Sequence, residues 1–292
     1  QPEQLDRTPR RVYNGRIFRW KTTAMLSRTL EDRRRAEHKA ALTYIGHATL
    51  LIELEGMRLL TDPILRDRVA FLRRHQPQQV APHALQDIDG VLISHLHHDH
   101  LDPPSLRMLG EDMPLFVPQG AGDLLRRKGF RRVTEMSAGA DARLGPLRIS
   151  ATYAAHSPAR QPFGPKADCL GYIISGRYSL YFPGDTDLFP GMDGLYEDLD
   201  VALMPVWGWG PTLGAGHMSP ARAAEALALL RPRLAIPIHW GVLRPAAMHY
   251  FTTGFLTAPP LAFAQYAART APGVDVHVVE PGASFSLDQA LN

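Results

Sequence analysis

SHLHHDHLD, residues 94–102, decides how this chain is read. It follows directly on the short apolar run VLI, residues 91–93, which has the look of a buried strand. His95 and His97 are two apart, so in extended backbone they point the same way. Asp99 and His100 come after the strand, on a turn able to bring them back over the same point. Imidazole nitrogens with a carboxylate suit zinc, iron or manganese, and no thiolate is needed. A surface histidine tract would lack the apolar lead-in, and core histidines would not cluster with an aspartate. The stretch therefore reads as a metal site.

Three more candidates lie far along the chain, each at the end of an apolar run. His156 follows LRISATYAA, Asp185 follows YSLYFPG, and His239 follows RLAIPI. Together the candidates are five histidines and two aspartates, too many for one zinc ion, which usually takes four ligands. Two ions sharing one carboxylate would use them all. The expected cofactor is two divalent metal ions, zinc first, with manganese or iron also suited to these donors.

Outward from this centre the chain alternates strands, hairpins and helices. LTYIGHATLLIEL (42–54), a Glu55-Gly56 turn and MRLLTDP (57–63) read as paired strands. Asp102 stands where an N-cap belongs, with Pro103 at the first helical position. LFVP (115–118) is a strand, and AGDLLRRKG (121–129) a helix closed by Gly129. CLGYIIS and YSLYFPG form a hairpin across Ser175, Gly176 and Arg177. VALMPV (201–206) leads into the Gly/Trp loop WGWGPTLGAGH (207–217). Ser219 and Pro220 open a helix over ARAAEALALLRP, and a last helix is expected over Phe255–Arg269. Such alternation predicts an α/β fold of two sheets packed together with helices outside.

Residues 1–40 differ from the rest. They hold eleven Lys or Arg against five Asp or Glu, a net +6, while the whole chain carries +3; the remainder is therefore −3. RRVYNGRIFRW (10–20) alternates basic and aromatic residues. The expected domains are a basic N-terminal arm, 1–40, and a metal-binding domain, 41–292. Cations beside interfacial aromatics suit a peripheral membrane contact through the arm. The composition, 45% hydrophobic and 21% charged, fits a globular domain with a sizeable core. No apolar run reaches the 18 or so residues a bilayer span requires. The chain opens at Gln1, compatible with a trimmed native start. Cys169 is the single cysteine, so no disulfide framework forms within the chain, and a cytoplasmic location is expected. Cys169 itself reads as a small buried hydrophobe.

HLHHDH resembles the HxHxDH motif of the metallo-β-lactamase superfamily. The resemblance implies an αββα four-layer sandwich. It also implies that His95, His97 and His156 hold one ion, Asp99, His100 and His239 the other, and that Asp185 bridges them. Asp62 matches the family's aspartate at the end of an early strand, where it supports the ligand loop from behind. GHATLLIELEGMRLLTDPI, SHLHHDHLD, FPGDTD, GHMSPARAAEAL and AIPIHWG, between Leu42 and Trp240, look like one branch in particular. That branch contains N-acylphosphatidylethanolamine phospholipase D; L-ascorbate-6-phosphate lactonase lies in a sister branch.

The implied activity is hydrolysis by a metal-bridging hydroxide, with Asp99 and Asp185 at the reacting centre. No G-x-S-x-G elbow competes with it. His217 ends the Gly-rich loop, two residues before the Ser219 cap, where it can meet a phosphate oxygen or developing oxyanion. His47, in GHAT, reads as a support behind the ligands or simply a packed core residue, and not as a ligand. Trp207, Trp209, Phe163, Phe189 and Leu213 lie in loops near the ligand segments and either line an apolar pocket or anchor those loops. His75, His83 and His249 have no informative context. The expected substrate is a small molecule or lipid-like phosphodiester. A lactone or other carboxylic ester is the alternative on the same metals, and nucleic-acid processing a further one. For the latter the chain lacks a basic, aromatic-lined groove beyond the arm. A homo-oligomer is compatible with all of these.

Overall fold

The computed structural model describes residues 12–13, 16–17, 39–77, 79–158, 165–248 and 254–292. Within the arm, Val12–Tyr13 (β1) pairs antiparallel with Arg16–Ile17 (β2). The rest of residues 1–38, Phe163 and His249 lie outside the described residues.

The body begins with three antiparallel strands, Ala41–Gly46 (β3), Thr49–Leu54 (β4) and Met57–Thr61 (β5). Arg68–Val69 (β6) and Leu72–Arg74 (β7) form a short hairpin. Gly90–Leu92 (β8) then runs parallel to β5 and into the histidine motif. Pro103–Leu109 (α1) follows, its Asp102 cap accepting from the Ser105 N–H. Leu115–Pro118 (β9), Gly122–Arg127 (α2) and Val133–Met136 (β10) complete this half. The second half runs through Asp141–Leu144 (β11), Leu147–Tyr153 (β12), Leu170–Ser175 (β13), Ser179–Phe182 (β14) and Val201–Pro205 (β15). Pro220–Leu230 (α3), Leu234–Ile238 (β16), Leu243–Pro245 (β17), Gly254–Thr270 (α4) and Asp275–Val276 (β18) follow. Ser284–Ser286 (β19) and Leu287–Leu291 (α5) end the chain.

Two seven-stranded sheets result, ordered β10-β9-β8-β5-β4-β3-β19 and β11-β12-β13-β14-β15-β16-β18. Strand periodicity sorts the first sheet's side chains. Leu42, Tyr44, Leu50 and Ile52 join Ile149, Tyr172 and Ile174 in one core, whereas Ile45, Leu51 and Leu60 turn the other way, onto Leu106 of α1 and Leu125 of α2. Ala223 and Leu227 of α3 and Phe263 of α4 belong to the core of the second sheet. The layers are therefore helix, sheet, sheet, helix, the αββα sandwich that the motif implied. Ser219 caps α3 by accepting from the Arg222 N–H, as its position predicted. Cys169 is buried, and its thiol is pushed up to about 12 by that burial, so it behaves as a hydrophobe. No helix among the described residues is long and apolar enough to cross a membrane.

The sequence reading did not anticipate the hairpin β6–β7 or its pairing with β17, which makes a separate three-stranded sheet. These strands are two or three residues long, too short to show a period.

Candidate metal centre

The candidate residues converge at one end of the sandwich, on loops that leave β8, β12, β14 and β16. Two successive N–H groups, of His100 and Leu101, return to the His97 carbonyl at 3.1 and 2.8 Å. This turn swings Asp99 and His100 back beside His95, as their spacing suggested. His156 stands three residues beyond β12, beside an isolated bridge between Ala155 and Asp187 that ties its loop to Asp185's.

Hydrogen bonds fix which nitrogen each imidazole turns inward. Ser94 donates its hydroxyl to Asp62 Oδ2 at 2.5 Å, so its oxygen accepts from His95 Nδ1–H at 2.9 Å. His100 donates Nδ1–H to the same Asp62 oxygen at 2.7 Å. His156 donates Nδ1–H to the Gly216 carbonyl at 2.8 Å, and His239 donates to the Trp207 carbonyl at 2.7 Å. With Nδ1 so engaged, each of these four rings turns Nε2 inward, and that nitrogen is the one left to bind an ion or a proton.

Those nitrogens face one another. His97 Nδ1 lies 3.0 Å from Nε2 of both His95 and His156, and the Nε2 atoms of His100 and His239 are 3.1 Å apart. Lone pairs so close repel unless a cation or proton lies between them. Asp185 sits between the two groups. Its Oδ1 is 3.0 Å from His239 Nε2; its Oδ2 is 3.0 Å from His100 Nε2, 3.8 Å from His95 Nε2 and 4.0 Å from His156 Nε2. Both oxygens are buried, and neither makes a well-formed hydrogen bond. Ligand atoms of His95, His97 and His156 lie within 4.8 Å of one another, as do those of His47, Asp99, His100 and His239. Orphaned carboxylate oxygens and converging imidazole lone pairs fit a divalent cation that takes N and O donors.

Electrostatics divide the ligands. Burial opposes a proton on His100, but Asp185, Asp99 and Asp62 hold its imidazole well above the ordinary value. Burial works against charge at Asp185, but His100, His239 and His217 hold its carboxyl well below the usual range. Burial likewise opposes charge at Asp99, where His100 and His47 prevail. Burial drives His95 and His239 well below the ordinary imidazole value, and His156 to about 4. They stay neutral at physiological pH, as metal ligands must.

The supporting residues are equally placed. Asp62 is fully buried and accepts from the Ser94 N–H and hydroxyl and from His100. His47 donates Nε2–H to Asp99 Oδ2 at 2.9 Å, its carbonyl accepts from the His239 N–H at 2.7 Å, and its ring lies 3.9 Å from that of His239. His47, Asp62 and His239 all have positive φ, at 60°, 33° and 65°. This is costly for residues with a side chain, and it clusters where the site is built. His217 shares Nδ1–H between the Gly214 and Ala215 carbonyls and places Nε2 3.2 Å from Asp185 Oδ2. Burial lowers its affinity for a proton, yet the Asp185 carboxylate more than offsets this and raises it to about 9.

Ser94, Gly216 and the Trp207 carbonyl escaped the sequence reading. Gly216 has φ +76°, and a Cβ there would stand 2.8 Å from His156 Nδ1. The proposed pocket aromatics divide. Trp209 packs on Ile64, Val69, Leu72 and Val242 as a loop anchor, and Trp207 bonds the Gly210 carbonyl. Phe189 meets Tyr153 edge-on at 5.2 Å.

Residues 57–240, which contain all seven candidate ligands, match the family model of the beta-lactamase superfamily domain. A protein of Opitutus terrae named a metal-dependent hydrolase is 32% identical over 256 residues, covering 84% of this chain and 99% of the relative. The N-acyl-phosphatidylethanolamine-hydrolyzing phospholipase D 1 of Caenorhabditis elegans is 29% identical over 234 residues, 72% of this chain. The match covers 66% of that phospholipase, just under two thirds of its length. Among solved structures, the metallo hydrolase Igni18 of Ignicoccus hospitalis is similar, with a TM-score of 0.65, 27% identity, and coverage of 85% of this chain and 98% of that one.

Proposed function

The chain belongs to the beta-lactamase superfamily, and on that premise we propose that it is a hydrolase of phospholipid-like phosphodiesters working with two divalent ions, most simply zinc. The observation that carries this reading is Asp185, whose two buried oxygens make no well-formed hydrogen bond and face the two histidine groups at once. His95, His97 and His156 would hold one ion, and Asp99, His100 and His239 the other. Two such ions would supply Lewis acidity, lowering the pKa of a water and polarising a substrate oxygen.

The chain's own residues supply the rest. Asp62 and His47 hold the donors in register, so little reorganisation is needed when charge develops. His217 presents Nε2 at the edge of the centre, carrying a proton over most of the physiological range in the metal-free protein. In its protonated form it can donate to an anionic phosphoryl oxygen, and the N-terminus of α3, two residues on, favours the same charge. The apolar side is served by Tyr153, 55% exposed, and Phe189. They flank His156 and Asp185 in sequence, and an acyl chain can lie along them. Similarity to a protein named a phospholipase D supports the substrate class.

The test is a hydrolysis screen of the zinc-loaded protein against N-acyl phosphatidylethanolamine in mixed micelles, a soluble aryl phosphodiester and a lactone. Chelator-sensitive phosphodiester turnover is expected. Turnover of the lactone alone would replace the substrate assignment while leaving the metal centre intact.

A further inference from the structure

The three-stranded sheet β17–β7–β6 has no part in the chemistry above, and its two faces have opposite character. Residues paired across an antiparallel ladder share a face. Val69 pairs with Leu72, and Leu243 with Arg74. Val69, Leu72 and Leu243 bury themselves with Ile64 and Val242, and Arg74 reaches the Ile64 carbonyl at 2.7 Å. On the other face Arg68 pairs with Arg73, and Arg73 with Arg244. Three arginines thus stand in a row across three strands, Arg68 and Arg73 exposed and Arg244 half-buried.

Like charges directly opposite one another destabilise a sheet. No carboxylate among the described residues relieves Arg68 or Arg73 by an ion pair. The nearby Asp67 acts on the buried Arg74 of the inner face. Nor is the row part of a generally basic surface, since the chain beyond residue 40 carries net −3. At the turn of the same hairpin Phe71 is 58% exposed, its ring edge-on to Trp209 at 5.1 Å. Trp209 sits in the loop whose Trp207 carbonyl orients His239, and β17 begins four residues after His239. The row therefore stands at the metal-centre end of the sandwich.

We infer that this outer face docks the protein on an anionic lipid bilayer, Arg68 and Arg73 taking headgroup phosphates and Phe71 entering the interface. Guanidinium forks match phosphate oxygens, and an exposed aromatic beside cations belongs at a bilayer surface. The row spans only about 10 Å across its outer strands, and one exposed ring adjoins it. That suits one or two headgroups better than a nucleic-acid strand, which asks for a longer track of cations and stacking rings. The occupant rests on the lipid-substrate reading above; the charge pattern stands without it.

The experiment uses the full chain, zinc-loaded, with vesicles of phosphatidylcholine alone or mixed with phosphatidylglycerol. Wild type should bind the anionic vesicles, and salt should weaken that binding. Each basic residue near such a surface contributes roughly fivefold. Arg73→Glu removes one attraction and adds one repulsion, so vesicle binding should fall about 25-fold. Its melting temperature should hold or rise, because the new carboxylate would stand between Arg68 and Arg244. Arg68→Glu should repeat the loss, and Phe71→Ser should weaken the part of binding that survives salt. Equal vesicle binding by wild type and both charge-reversed proteins would overturn the inference and place the contact in residues 1–40. No binding to anionic vesicles at low salt would overturn it as well. Inorganic phosphate bound by wild type without vesicle binding would reduce the row to a small-anion site and refute docking. Turnover of a soluble phosphodiester, measured in parallel, should be the same in wild type and Arg73→Glu. If no phosphodiester is turned over but vesicle capture still depends on Arg73, the substrate reading falls and the docking surface stands.

Discussion

Asp62→Asn tests the logic of the site more sharply than removal of any ligand. Asp62 receives three donors on two oxygens: the Ser94 N–H at Oδ1, 2.7 Å, and the Ser94 hydroxyl and His100 Nδ1–H at Oδ2, 2.5 and 2.7 Å. Asparagine has nearly the same shape but only one accepting oxygen. If its oxygen takes the Oδ2 place, the amide NH2 confronts the Ser94 N–H, and a buried donor goes unmet at about 1–3 kcal/mol. If the amide turns over, NH2 confronts His100 Nδ1–H and the Ser94 hydroxyl. His100 then moves its proton to Nε2, which removes the lone pair aimed at the centre, and Ser94 loses its hold on the His95 tautomer. No orientation satisfies all three donors.

The expected outcome is a loss of metal affinity of about 10–100-fold, the usual effect of losing such a supporting partner. The assay is zinc competition with a chromophoric chelator, alongside thermal melts of metal-free protein. Wild-type zinc affinity together with a wild-type melting temperature in the Asp62→Asn protein would refute the tautomer argument.

Asp185→Ala should bind fewer zinc ions per chain than wild type, one or none against the two proposed, and lose hydrolysis, as metal analysis after dialysis and a parallel turnover assay would read. His217→Ala should keep its metal and lose turnover on the order of 10²-fold; unchanged kinetics on a confirmed substrate would exclude a role at the reacting centre. Gly216→Ala forces a side chain onto a residue of φ +76° and 2.8 Å from His156 Nδ1. On the proposed assignment it should weaken the ion at His95, His97 and His156 more than the second, giving a biphasic chelator titration.

The elements with a visible period or a cap were legible in the sequence. Leu50 and Ile52 alternate with Leu51 across the two faces of β4, and the Asp102-Pro103 and Ser219-Pro220 pairs mark helix starts by their side-chain chemistry alone. The candidate ligands were legible because they end apolar strands. What stayed hidden depends on the backbone. His47 and His239 reach each other through a main-chain hydrogen bond and positive φ, which no side-chain pattern reveals. The carbonyls of Trp207 and Gly216 act without regard to what side chain they carry. The short strands β6, β7 and β17 fold as they do because Val69, Leu72 and Leu243 find a shared core far along the chain.

Metal binding should also report the charge balance of the metal-free protein. Asp62, Asp99 and Asp185 are all buried around His100. Burial opposes a proton on His100, but Asp185, Asp99 and Asp62 together hold its imidazole well above the ordinary value of 6.5. In metal-free protein a proton there supplies the positive charge those carboxylates require, and it occupies the nitrogen an ion needs. His95, His156 and His239 are held low, so they are already bare at neutral pH and release nothing. Zinc affinity should therefore keep rising with pH above the ordinary histidine range instead of levelling there, because the proton displaced belongs to His100. Calorimetry at about pH 8 in buffers of different ionisation enthalpy should detect release of a proton on zinc binding. His217, raised to about 9, adds to that release only if an ion reaches it, so His217→Ala separates the two contributions. Zinc binding at that pH with no proton release, in wild type and His217→Ala alike, would show that His100 is already neutral and that the carboxylates draw their balancing charge from elsewhere.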